Sequence, residues 1–94
     1  MPAVLRLPSV LTHEQAVACS VALRKAIALQ ATADGVTVDA SALQRFDSSA
    51  LAVLLDCRRT ALSLDQVFHV SGLPSRLRRL ADLYGVADLM PAAA

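Results

Sequence analysis

The stretch from Val36 to Leu55 constrains the chain most. Val36-Thr37-Val38 is a short apolar, β-branched run that ends in an acid, Asp39. A polar segment, residues 40–47, follows. Asp47-Ser48-Ser49 then opens a second apolar run, Ala50-Leu51-Ala52-Val53-Leu54-Leu55. A short β-branched strand with no polar alternation belongs in a covered, parallel sheet. Such a sheet needs long crossovers, and the run after Ser48 supplies a helix for one. The stretch therefore reads as strand, loop and helix of a small α/β domain. It places two hydroxyls and a carboxylate at a helix start.

The rest of the chain repeats the alternation. Ala3-Val4-Leu5-Arg6-Leu7 is a strand stopped by Pro8. Thr12 and Gln15 have capping-box spacing, and Leu11 with Ala16 fits a hydrophobic staple. The helix they open is expected to run to about Thr32, with Ala16, Leu23, Ile27 and Gln30 on one side. Asp34-Gly35 is a stop and turn signal. The helix from near Ser48 is expected to end at about Leu62, burying Leu51, Leu54, Leu55 and Leu62. Gln66 to Val70 reads as the third strand. Gly72-Leu73-Pro74 turns the chain into a third helix, with Pro74 in its first turn. Leu73, Leu77, Leu80, Ala81 and Tyr84 form its apolar stripe, and Gly85 its C-cap. The tail after Val86 adds a short strand or helical turn, and residues 91–94 are expected to fray. The predicted order is βαβαβα: a single α/β domain over residues 1–94, its mixed, mainly parallel sheet packed with helices.

At 94 residues the chain suits one core and no deep internal cavity. Its 55% hydrophobic content exceeds the usual range, so part of the surface is expected to meet another protein. A net charge of +1 exerts no general pull on nucleic acid or membrane. The longest apolar run falls far short of the roughly 20 residues of a membrane span. No signal peptide is read at the N-terminus, which Pro2, Arg6 and Pro8 interrupt. Cys19 and Cys57 lie in apolar helical segments and are expected as buried free thiols of a reducing cytoplasm, with a disulfide left open. Two separated histidines make no metal motif, and three scattered glycines make no phosphate loop. No metal or cofactor is expected.

At the Asp-Ser-Ser site, the plain reading is a helix cap by Asp47 or Ser48. The same geometry tolerates a phosphate, because a helix start offers free N–H groups and a partial positive charge. A phosphoserine adds about −1.5 to −2 units of charge, enough to repel a partner. No base lies near Ser48 in sequence, so a serine nucleophile is not expected and no catalytic residue is assigned. Arg76, Arg78 and Arg79 read first as a solvated face. Cations near a helix start oppose its dipole, which gives a contact with a partner more weight. Nucleic-acid binding is not expected, because no aromatic platform accompanies the cluster.

Val38-Asp39-Ala40-Ser41, with Phe46-Asp47-Ser48-Ser49-Ala50-Leu51, resembles the signature of STAS domains. These occur as anti-sigma factor antagonists, as tails of sulfate transporters and as the small cytoplasmic subunit of the Mla phospholipid-transport ABC complex. By this resemblance Ser48 matches the family's phosphorylatable position, Asp47 the acid before it and Asp39 the acid ending the strand. Ala50 stands where the family usually has glycine. Ala3 to Leu7 matches the family's second strand, which leaves one sheet edge open and a route to a homodimer. The segment Leu80 to Pro91 is similar to the C-terminus of the Mla subunit.

The resemblance implies a non-catalytic accessory subunit that binds the ATPase of an ABC transporter. It would be cytoplasmic, reaching a membrane only through that complex. The alternative is an anti-sigma factor antagonist switched by a kinase at Ser48. The expected contact surface comprises Asp47, Ser48, Ser49, Leu51, Arg76 and Arg79.

Overall fold

The computed structural model describes residues 2–30 and 34–92. In chain order these form β1 (Ala3–Arg6), β2 (Val10–Leu11), α1 (His13–Gln30), β3 (Val36–Asp39), β4 (Arg45–Phe46), α2 (Ser49–Ser63), β5 (Phe68–Ser71) and α3 (Ser75–Leu83). A 3-10 turn, Ala87–Leu89, follows. The predicted alternation of strands and helices is present. The expected extension of α1 to Thr32 lies outside the described residues.

β1, β3 and β5 form a parallel sheet in that order. Ala3 to Arg6 lie opposite Val36 to Asp39, and Val36 to Asp39 opposite Phe68 to Ser71. α1 and α2 are the two crossovers. Right-handed connections running the same way along a sheet put both helices on one face, and the two pack side by side. Among the described residues β1 pairs with β3 alone in this sheet. The third strand begins two residues later than Gln66. Gln66 N–H instead closes the end of α2 by donating to Ala61 O at 2.9 Å.

The core draws on every layer. Leu5, Leu7, Val36, Val38, Phe68 and Val70 of the sheet region meet Leu23 and Ile27 of α1. Ala50, Leu51, Val53, Leu54, Cys57 and Ala61 of α2 and Leu77 and Ala81 of α3 pack into it, with Leu11, Ala40, Leu43 and Met90. Four expected core positions lie outside it. Leu55 is only half-buried, at the outer edge of the packed face of α2. Gln30 is exposed at the last turn of α1. Leu62 is 46% exposed, because the buried stripe of α2 runs through Cys57 and Ala61 and the next residue is rotated about 100° away. Tyr84 is 58% exposed, because the chain leaves the axis of α3 there and turns at Gly85. Pro74 takes the N-cap position of α3, not a place inside its first turn; its carbonyl accepts Arg78 N–H at 2.9 Å. The tail is pinned through Pro91, whose carbonyl accepts Val70 N–H at 2.9 Å.

β2 and β4 fall outside the predicted alternation. They pair in parallel, Val10 opposite Arg45 and Leu11 opposite Phe46. Gln44 and Arg45 N–H groups both donate to Ser9 O, at 2.9 and 3.0 Å. This small ladder sets the starts of α1 and α2 side by side.

Candidate functional site

The chain leaves β4 at Asp47 and enters α2. Ser48 already has helical dihedrals, φ −62° and ψ −15°, and its side chain makes no cap. Asp47 does the capping. Its Oδ1 accepts Ser49 N–H at 2.8 Å, and its carbonyl accepts Ala50 N–H at 3.1 Å. Its other oxygen reaches across the ladder and accepts His13 N–H, the first amide of α1, at 3.2 Å. One carboxylate thus closes the N-termini of two helices, where both dipoles are positive. The His13 ring adds a weaker approach, Nδ1 to Oδ2 at 3.6 Å. The bond from Ser49 N–H, followed by those from His13, holds the Asp47 carboxyl below the usual range.

At α1 the capping box is half formed. Gln15 Oε1 accepts both Thr12 N–H at 2.9 Å and the Thr12 hydroxyl at 2.8 Å. The threonine donates where the full motif would have it accept from Gln15 N–H.

With Asp47 occupied, the Ser48 hydroxyl stands exposed at the shared helix start. Ser49 is half-buried beside it. Leu51 is not a contact residue. It is 3% exposed and sits in the core, because α2 turns it inward against the sheet. Ala50 is likewise fully buried, so its methyl fills core space that glycine would leave open. Arg76 and Arg79 are exposed on α3, one turn apart. The Arg76 guanidinium lies over the Phe46 ring, 4.6 Å from its centre. That contact joins α3 to the residue before Asp47, and sequence patterning gave no sign of it.

The β3–β4 loop is held from both ends. Asp39 Oδ1 accepts Ser41 N–H at 2.9 Å. Bonds from the Ser41 side chain and amide, with Arg6 further off, keep the Asp39 carboxyl below its usual range. Behind the loop, Gly72 has φ +66°, and an added Cβ would lie 2.7 Å from Ser41 Cβ. Glycine is therefore required where the two loops touch.

The cysteines are free; Cys57 is buried and Cys19 partly so. Burial, with Cys19 nearby, pushes the Cys57 thiol up to about 12. Burial also raises Cys19. Neither has the lowered pKa of a reactive thiol. Among the described residues no three His, Cys, Asp or Glu side chains gather as a metal set. No described helix is long and apolar enough to cross a membrane.

Comparison with known proteins bears directly on this geometry. No curated protein matches the chain. A solved structure, the anti-sigma factor antagonist SpoIIAA in its unphosphorylated form, superposes with a TM-score of 0.74 at 20% identity, covering 97% of this chain and 78% of that one. At that identity the likeness establishes the fold. The family model described as "Mlab, STAS domain" matches residues 1–91. With nearly the whole chain matched, and with a strand ending in Asp39 and a helix opening at Asp47-Ser48-Ser49, the protein belongs to the STAS domain family.

Proposed function

We propose that this chain is a non-catalytic interaction subunit that binds and supports the ATPase of a phospholipid-transport ABC system. The observation carrying the reading is the exposed, uncommitted hydroxyl of Ser48 at a shared helix start, with Asp47 already used as the cap. A hydroxyl so placed is open to a partner. Among the described residues it has no base beside it, since the His13 ring is turned to Asp47. The Mlab description of the matching family favours the transport branch. Asp47, Ser48, Ser49, Arg76 and Arg79 form the contact surface in this reading.

Ser48→Glu tests it. A carboxylate there adds negative charge beside Asp47 and meets the partner first. Calorimetry against the ATPase of a phospholipid-transport ABC system from the same source is expected to show affinity reduced tenfold or more. Unchanged affinity removes Ser48 from the interface.

A second reading draws on the structure of SpoIIAA, an anti-sigma factor antagonist solved in its unphosphorylated form. In it the chain is an anti-sigma factor antagonist and a kinase modifies Ser48. Incubation with a co-encoded kinase and ATP then gives a phosphate mass increase that Ser48→Ala abolishes. No increase counts against it.

A further inference from the structure

A groove runs along the outer side of the α1–α2 pair. Its first part, about 510 Å³, is lined by Ala16, Val17 and Ser20 of α1 and by Ala52, Leu55 and Asp56 of α2, among others. A second depression, lined by Val21, Lys25, Ala28 and Thr60, adjoins it and shares Arg24 with it. From Val17 to Ala28 the two span about 16 Å of helix at 1.5 Å per residue. That is the length of roughly three helical turns.

The lining is graded. Apolar and small side chains occupy the end near Ser48, where Val17 is 76% exposed. Charge occupies the middle. Asp56 accepts the Ser20 hydroxyl at 2.5 Å and lies 3.8 Å from Arg24 and 3.7 Å from Arg59. One carboxylate faces two guanidiniums, so the middle of the groove keeps a surplus positive charge. The far end is mixed, with Ala28 beside Lys25 and Thr60. The row Ser48, Ala52, Leu55, Arg59, exposed except for the half-buried Leu55, has helical spacing, so it leads from the Ser48 site directly into the groove.

We infer that this groove docks an amphipathic helix of a partner protein. That helix is about three turns long, with apolar residues toward the end that meets Val17 and Ala52 and a carboxylate near its middle. A straight trough between two side-by-side helices matches the shape of a third helix. Alanines at positions 16, 28 and 52 let its backbone come close. The surplus positive charge around Asp56 selects an acid at mid-length and rejects a base there. The inference rests on reading the chain as a partner-binding domain and adds the partner's chemistry.

The test uses isotope-labelled full chain and two synthetic helical peptides of equal length and apolar pattern. One carries Glu at its centre, the other Lys. The Glu peptide is expected to shift the amide signals of Val17, Val21, Ala52 and Leu55, and to bind at least tenfold more tightly than the Lys peptide. Ala52→Arg, an exposed substitution that fills the groove, is expected to cost a further tenfold with an unchanged far-ultraviolet spectrum. Equal binding of both peptides overturns the proposal, as do shifts confined to other surfaces. Shifts of the same groove signals on simple concentration of the chain assign it to a second copy, and shifts with phosphatidylcholine–phosphatidylglycerol vesicles assign it to lipid; either result also overturns it. The peptides do not depend on the ATPase. Failure of Ser48→Glu to alter ATPase binding would therefore leave this result standing, and peptide failure would leave that one.

Discussion

Asp47 and Ser48 divide two tasks that local sequence reading assigns to either of them. The carboxylate takes the helix-capping role because it reaches amides on both helices, at 2.8 and 3.2 Å. The hydroxyl is left exposed. The two substitutions should therefore separate. Ser48→Ala is expected to change stability by less than about 0.5 kcal/mol, as for a surface position without a partner. Asp47→Ala is expected to lower the melting temperature clearly at pH 7. The carboxyl sits below its usual range in the folded state, through the amides of Ser49 and His13. A depressed carboxyl stabilises the fold fully above its unfolded value, about 3.9, and loses that effect as pH falls through its folded value. Melts of wild type and Asp47→Ala should thus differ at pH 7 and converge below that range. A gap that persists in acid would mean the side chain matters through packing, not charge.

Two elements end on the same device with different residues. At the end of α3, Gly85 at φ +70° lets Gly85 N–H reach Asp82 O at 3.1 Å and Val86 N–H reach Ala81 O at 2.9 Å. At the end of α2 the matching bonds run from Asp65 N–H to Leu62 O at 3.1 Å and from Gln66 N–H to Ala61 O at 2.9 Å. There the left-handed residue is Asp65, φ 57°. A non-glycine residue in that region costs about 1–2 kcal/mol, less for Asp than for most. Asp65→Gly is expected to gain up to about 1 kcal/mol in urea unfolding, at unchanged slope. A loss would show that the Asp65 side chain holds the turn in place. Gly85 was legible as a stop. Asp65 was not, because its conformation is imposed by the turn from α2 into β5.

At the scale of the whole molecule, the 55% apolar content divides between one core and an outer surface. Leu7, Leu11, Ile27, Leu54 and Leu77 vanish inside. Val17 and Leu29 of α1 and Leu83 and Tyr84 near the end of α3 remain outside. Cys57 reports on the core as a unit. A thiol buried there and pushed up to about 12 holds almost no thiolate at pH 8. In a Cys19→Ser background, Cys57 is expected to resist iodoacetamide in native buffer. Its labelling should rise with urea in step with global unfolding. Native labelling at the rate of a free thiol would show that α1 and α2 separate locally.

Sequence alone determined the alternation of strands and helices, the bounds of β3, the start of α2 and the family to which they belong. These follow from hydrophobic period, turn residues and a local signature, all of which act between near neighbours in the chain. Tertiary structure alone decided which residue caps α2, that His13 shares that cap, and that Arg76 rests on Phe46. It also turned Leu51 inward and opened a groove between α1 and α2. The reason is range. The β2–β4 ladder is two residues long on each side, too short to leave a periodic mark. Yet it joins segments more than thirty residues apart and thereby fixes the geometry of the site.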